Sequence, residues 1–168
     1  DIDLNFGLVV NKMLYSDLTF ENVTGNALLK NGELSLDPLN MMFKGGQFNM
    51  KGKYDSKPLK PIAEFGLSIK ELPFVESVNF DFIEKYLPIA KNIIGNLNSD
   101  FSMSTIIGSD MMPVLSSLTS NGLVNTTGLS YSSSSLDQVN QFFQGKELNK
   151  INFTDPNLSF EWKEGRAY

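Results

Sequence analysis

The glycines and lysines of "MMFKGGQFNMKGKYDSKP", residues 41–58, are the first place in the sequence where chemistry could reside. A loop that cradles phosphate needs G-x-x-x-x-G-K-[ST] between a strand and a helix. Here Gln47 stands where the first glycine of that motif belongs, and Tyr54 stands where a Ser or Thr would hold magnesium. The residues after Gly52-Lys53 read as a strand, so no helix N-terminus faces a phosphate. The bland reading is the better one: Gly45-Gly46 turns a hairpin and Gly52 marks a bulge or bend in the next strand.

Other reactive groups are sparse. Asp1, Asp3 and Asp110 are the carboxylates that invite grouping, but alternation puts Asp1 and Asp3 on the polar face of one strand, where solvated carboxylates are ordinary. "DPLNMMF" lacks the regular Asp/Asn spacing and closing Glu of a calcium loop. Four N-x-[ST] matches, at Asn22, Asn125, Asn152 and Asn157, are what chance gives in a chain rich in Asn and Ser. The chain has no His and no Cys. That excludes Ser-His-Asp and thiol chemistry, disulfide scaffolds and Cys-ligated metal. No catalytic, metal or cofactor site is expected, and the chain reads as a non-enzyme.

A net charge of −5 argues against a nucleic-acid partner and against tight electrostatic attraction to anionic lipid heads. The 168 residues fit a single β domain, 1–168. The chain opens directly in a strand pattern and stops just after a turn, so it is expected to be a fragment of a longer protein.

The elements follow from period-2 alternation. Ile2, Leu4 and Phe6 alternate with polar residues, as do Leu34 and Leu36, then Phe48, Met50 and Tyr54. Phe65, Leu67 and Ile69 repeat the pattern, followed by Leu97, Phe101 and Met103, and by Leu158, Phe160 and Trp162. Strands with one oily and one polar face build antiparallel sheets covered on one side. Asn31-Gly32, Gly45-Gly46, Asn121-Gly122 and Glu164-Gly165 are the expected turns. Two segments break the rhythm and are expected to be helices. In "SVNFDFIEKYLPIAKNIIG", Phe80, Ile83 and Leu87 have helical spacing and Pro88 interrupts it; in "SSLDQVNQFFQG", Ser135 and Gln138 form a capping box and Gly145 a C-terminal cap. A third short turn is expected in "SDMMPVLSSL", with Pro113 early in it. The fold class is therefore mainly β: a strongly twisted antiparallel meander curling into a groove or half-barrel, with two short α-helices.

The chain carries 13 Phe and 7 Met. They supply either an ordinary core or a deformable apolar surface that tolerates varied acyl chains. Two helices are too little to cover about nine half-oily strands. The sheet then has to curl on itself, pair with another part of the parent chain, or hold lipid. The lining residues expected for a lipid groove are Leu34, Leu36, Phe48, Met50, Phe65, Leu67, Ile69, Phe101 and Met103. The same nine would form the core if the sheet closes.

Three blocks carry a family resemblance. "VTGNALLKNGELSLDPLNMMFKGGQFNMKGKYDSKPLKP" resembles the C-terminal region of AsmA-like proteins of the Bacteroidetes type, through Gly25, Asn31-Gly32, Leu34, Leu36, Leu39, Gly45-Gly46, Gly52, Tyr54 and Asp55. "DMMPVLSSLTSNGLV" is similar to the family's second block at Met111, Pro113, Leu115, Ser117, Leu118, Gly122 and Leu123, with Ser120 in place of a glycine. "LSFEWKEGRAY" is similar to its closing motif at Phe160, Gly165 and Arg166. The resemblance implies kinship with bridge-like lipid-transfer proteins of the TamB and chorein type. It implies a periplasmic location, with the parent chain anchored in the inner membrane by an N-terminal helix outside this fragment. It implies a role in outer-membrane biogenesis by phospholipid binding or transfer along an apolar β groove, with no catalytic residue. The expected partners are a phospholipid or other acyl-chain ligand, the rest of the parent chain and an envelope protein. The alternative reading is a structural or assembly module of the cell envelope that binds a partner by strand-edge pairing.

Overall fold

A computed structural model describes residues 3–15, 18–74, 93–131, 151–163 and 166–167. Ten strands form one antiparallel sheet: β1 Leu4–Tyr15, β2 Leu18–Lys30, β3 Glu33–Phe43, β4 Gly46–Asp55, β5 Ile62–Pro73, β6 Ile93–Ile106, β7 Thr119–Tyr131, β8 Ile151–Asn152, β9 Asn157–Lys163 and β10 Arg166–Ala167. Each strand pairs with its sequence neighbour from β1 to β7. The order then continues to β9 and β10, while the short β8 pairs with one end of β7. The sheet is a curled meander and does not close into a barrel. Between β1 and β4 nearest-neighbour pairing follows from two-residue connections, which leave only the adjacent antiparallel position within reach.

Two of the expected turns have the backbone that right-twisted hairpins need. Asn31 and Gly32 have φ of 50° and 75°, and Lys44 and Gly45 have 48° and 87°. Positive φ at both central residues defines the type I′ hairpin turn, so the β3–β4 turn is centred one residue earlier than Gly45-Gly46. Gly46 is instead the first residue of β4 and lies against Leu72.

Curvature comes from bulges. Asn22 and Glu71, both at positive φ, sit in the extra-residue segments of β2 and β5. The Glu71 N–H loses its ladder partner and donates to Asn98 Oδ1 at 2.9 Å. In β3 the register jumps from Leu36 opposite Gly52 to Leu39 opposite Met50. Pro38 lies in that bulge, where its missing N–H breaks no ladder bond. The bend expected at Gly52 is thus carried by the facing strand. A fourth bulge, at Gly128, frees the N–H groups of Gly128 and Leu129. Both donate to the Asp155 carboxylate, at 3.2 and 2.9 Å.

Other expectations need correction. Asn121-Gly122 is no turn; it lies inside β7, where Gly122 makes room for the Phe160 ring on β9. The short turn expected in "SDMMPVLSSL" is present as a single 3-10 turn at Leu115–Ser117, just after Pro113, which bridges Ile107 as an isolated β pair. That turn is the one complete helical element among the described residues. The two expected helices, in segments 77–95 and 134–145, fall mostly or wholly outside the described residues. Their described part, Ile93–Gly95, opens β6 as a strand. The 164–165 turn also lies outside them, although β9 and β10 do pair antiparallel across it.

Burial is graded along the sheet. Val23, Met41, Phe43 and Leu72 are the buried apolar residues, and they gather near the β3–β4 turn. Phe43 packs there between Phe20, tilted at a centroid distance of 5.2 Å, and Phe48, edge-on at 5.9 Å. The opposite end, where β4 meets β5 and β6 meets β7, exposes Leu34, Leu59, Met111, Met112 and Leu115.

Candidate functional site

Residues directly opposite each other in a ladder share a face of the sheet. Following the register across six strands therefore shows where the expected lining residues lie. One row runs Leu36, Gly52, Phe65, Met103, Ser120, Trp162. The next runs Leu39, Met50, Leu67, Phe101, Gly122, Phe160. A third runs Met41, Phe48, Ile69, Ser99, Val124, Leu158. Leu34 belongs to a fourth row with Leu29, Tyr54, Ala63 and Thr105. All nine expected residues thus share one face, and eight are half-buried while Leu34 is exposed.

The sequence-derived set omits residues that complete this face. Leu4, Phe6 and Leu8 of β1 join it through Leu29, Ala27 and Gly25. Leu158, Phe160 and Trp162 close its other side. The signal for both was the same alternation. Phe160 covers Gly122 and stacks with Phe101 at 6.1 Å, so the aromatic ring fills the gap left by a residue without a side chain. The Trp162 indole N–H is buried and has no hydrogen-bond acceptor among the described residues.

The other face is polar. Its rows include Lys51, Gly66, Ser102, Asn121 and Glu161, and Ser35, Lys53, Glu64, Ser104 and Thr119. Glu33 sits 3.1 Å from Lys53 and raises its pKa by hydrogen bonding and by charge. Asn49 donates to Asn40 at 2.6 Å, and Ser102 to Asn121 at 2.9 Å. Hollows of about 630 and 570 Å³ are lined by these polar rows. Phe65, Met103 and Trp162 also border the first hollow, and Met41, Met42 and Phe48 the second.

The carboxylates do not assemble. Asp3 lies 3.6 Å from Lys30 at the sheet edge, and Asp110 accepts the Met112 N–H at 3.0 Å in the β6–β7 loop. Asp1 lies outside the described residues. Among the described residues no three Asp or Glu converge on a metal-sized site, and no helix is long and apolar enough to cross a membrane. Asp155 is the carboxylate with a structural task. The Leu129 N–H, helped by the Gly128 N–H and the Thr126 hydroxyl, holds its pKa below the ordinary value.

Comparison with protein-family models gives no match for this chain. Comparisons with curated proteins and with solved structures give none either.

Proposed function

We propose that this domain is an acyl-chain-binding β-sheet of an AsmA-like envelope protein, acting in the periplasm without catalysis. One observation carries the reading: the nine expected lining residues fall on a single face, in cross-strand rows interrupted by Gly52, Ser99, Ser120 and Gly122, while the opposite face is mainly polar. An acyl chain laid along these rows leaves water at about 0.8 kcal/mol per buried CH2. A single chain is then held reversibly, which suits passage along the sheet rather than storage. Phe and Met supply soft, flat contacts that set no chain length. The buried Trp162 N–H offers a donor that an ester carbonyl would satisfy.

The second reading is an assembly module that extends its sheet with a partner strand. The observation favouring it is the edge strand β1, twelve residues long, with one side unpaired among the described residues and Phe6, Val9, Leu14 and Tyr15 exposed. Such an edge is a template for strand addition. Native mass spectrometry of protein purified from bacterial periplasm, followed by lipid extraction, separates the two. Co-purifying phospholipid supports the acyl-chain reading. A lipid-free, monodisperse, heat-stable chain contradicts it and gives the lead to edge pairing.

A further inference from the structure

We infer that the end of the sheet formed by the β4–β5 and β6–β7 loops is a docking tip for a bilayer containing anionic phospholipid. The inference rests on these loops alone and stands independently of acyl-chain binding along the sheet.

The two loops are fixed to each other and to the sheet. Ile107 N–H donates to the Pro61 carbonyl at 2.8 Å, and Val114 N–H to the Ile106 carbonyl at 2.9 Å. Ser117 Oγ donates to the Val114 carbonyl at 2.7 Å and accepts the Ile106 N–H at 2.9 Å. Ser56 Oγ donates to the Gly32 carbonyl at 2.6 Å, and Lys57 N–H to Asp55 Oδ1 at 3.0 Å. Many of the loops' polar groups are thus satisfied internally, while apolar side chains point outward. Leu59 is 100% exposed, and Met111, Met112 and Leu115 are each exposed by more than half. Between Leu59 and Met111 lies an apolar hollow of about 480 Å³, walled by Ile107 and Val114. A pinned loop that presents leucine and methionine to water marks a contact surface.

Charge selects the occupant. The segment "SKPLKP", 56–61, holds two lysines and no acid, in a chain whose net charge is −5. The facing loop adds one acid, Asp110, whose carboxylate accepts the Met112 N–H, so the two lysines outnumber the acids of the two loops. Lys57 reaches Glu33 only at 4.0 Å, the outer limit of an ion pair, and Glu33 is held closer by Lys53 at 3.1 Å. Lys57 and Lys60 therefore flank Leu59 as lysines flank residues that enter a headgroup region, stems down and ammonium groups outward. A protein strand is the poorer fit, because Pro58, Pro61 and Pro113 have no N–H to donate to an added strand.

Vesicle flotation of the intact chain tests the inference. Vesicles of phosphatidylethanolamine with phosphatidylglycerol should carry the protein upward, and phosphatidylcholine vesicles should carry much less. A Leu59→Ser/Met111→Ser variant should lose about tenfold or more in partitioning, the scale set by keeping one exposed leucine in water. Lys57→Gln/Lys60→Gln should remove the preference for the anionic vesicles and its salt sensitivity. Both variants should keep the wild-type thermal midpoint and the wild-type content of co-purifying lipid. Wild-type protein that fails to float overturns the proposal and leaves a protein partner as the tip's occupant. Flotation unchanged in both variants also overturns it, placing the contact on another face.

Discussion

Gly122→Ala is the substitution whose cost the sheet geometry fixes most closely. Gly122 is buried in β7, directly opposite Phe160, and a Cβ added there would sit inside the Phe160 ring. The ring has to swing away. Overpacking of this kind costs about 1–3 kcal/mol. Losing the Phe160–Phe101 stack removes about 0.5–1.5 kcal/mol more. Two effects pull the other way. Alanine is better than glycine in a strand by about 0.5–1 kcal/mol. Phe160 is 39% exposed, so its ring has solvent to move into and the clash falls at the low end of its range. The net is a destabilisation of about 1–2 kcal/mol. Gly52→Ala is the control, since its nearest atoms would be Leu36 Cβ at 3.6 Å and the Glu64 carbonyl at 4.0 Å, ordinary contact distances. That variant should be neutral or slightly stabilised. Urea unfolding followed by Trp162 fluorescence measures both, and Phe160→Ala should relieve most of the Gly122→Ala penalty. Equal stability of the two glycine variants would refute the register between β7 and β9.

Two further perturbations probe other parts of the sheet. Asp155 has a folded pKa below its ordinary value of 3.8, so its contribution to stability is present above that pH and is lost as pH falls through the lowered folded value; urea midpoints measured against pH should show that acid-side loss in the wild type and a flatter profile in Asp155→Asn. Phe43→Ala empties the most tightly packed end, where Phe43 lies between Phe20 and Phe48 and is buried; it should cost about 3–5 kcal/mol in the same unfolding assay, far more than truncating a half-exposed residue such as Phe65.

The strands and their faces were legible because alternation is a local property. A residue two along a strand returns to the same face whatever the tertiary context, so Phe48 shared a face with Met50, and Phe65 with Leu67 and Ile69, before any pairing was known. Asn31-Gly32 was equally readable, since its backbone demand is local. Gly122 was misread for the complementary reason. Its lack of a side chain serves a ring on another strand, and nothing within its own neighbours records that. The bulge at Asp37–Pro38 was displaced onto Gly52 because a bulge belongs to a pair of strands, whereas sequence shows one strand at a time. The direction of curl was illegible as well. Curl arises from several bulges acting together, each of which needs two strands to define it.

The central claim is that acyl chains lie along the apolar face, and photocrosslinking in living bacteria tests it most directly. A photoreactive residue would be placed in turn at Met50, Phe65 and Met103, and at Lys51, Ser102 and Asn121 on the opposite face. Lipid adducts at the first three positions and not at the second three are the predicted result. Adducts at none of the six, or equally on both faces, would contradict it.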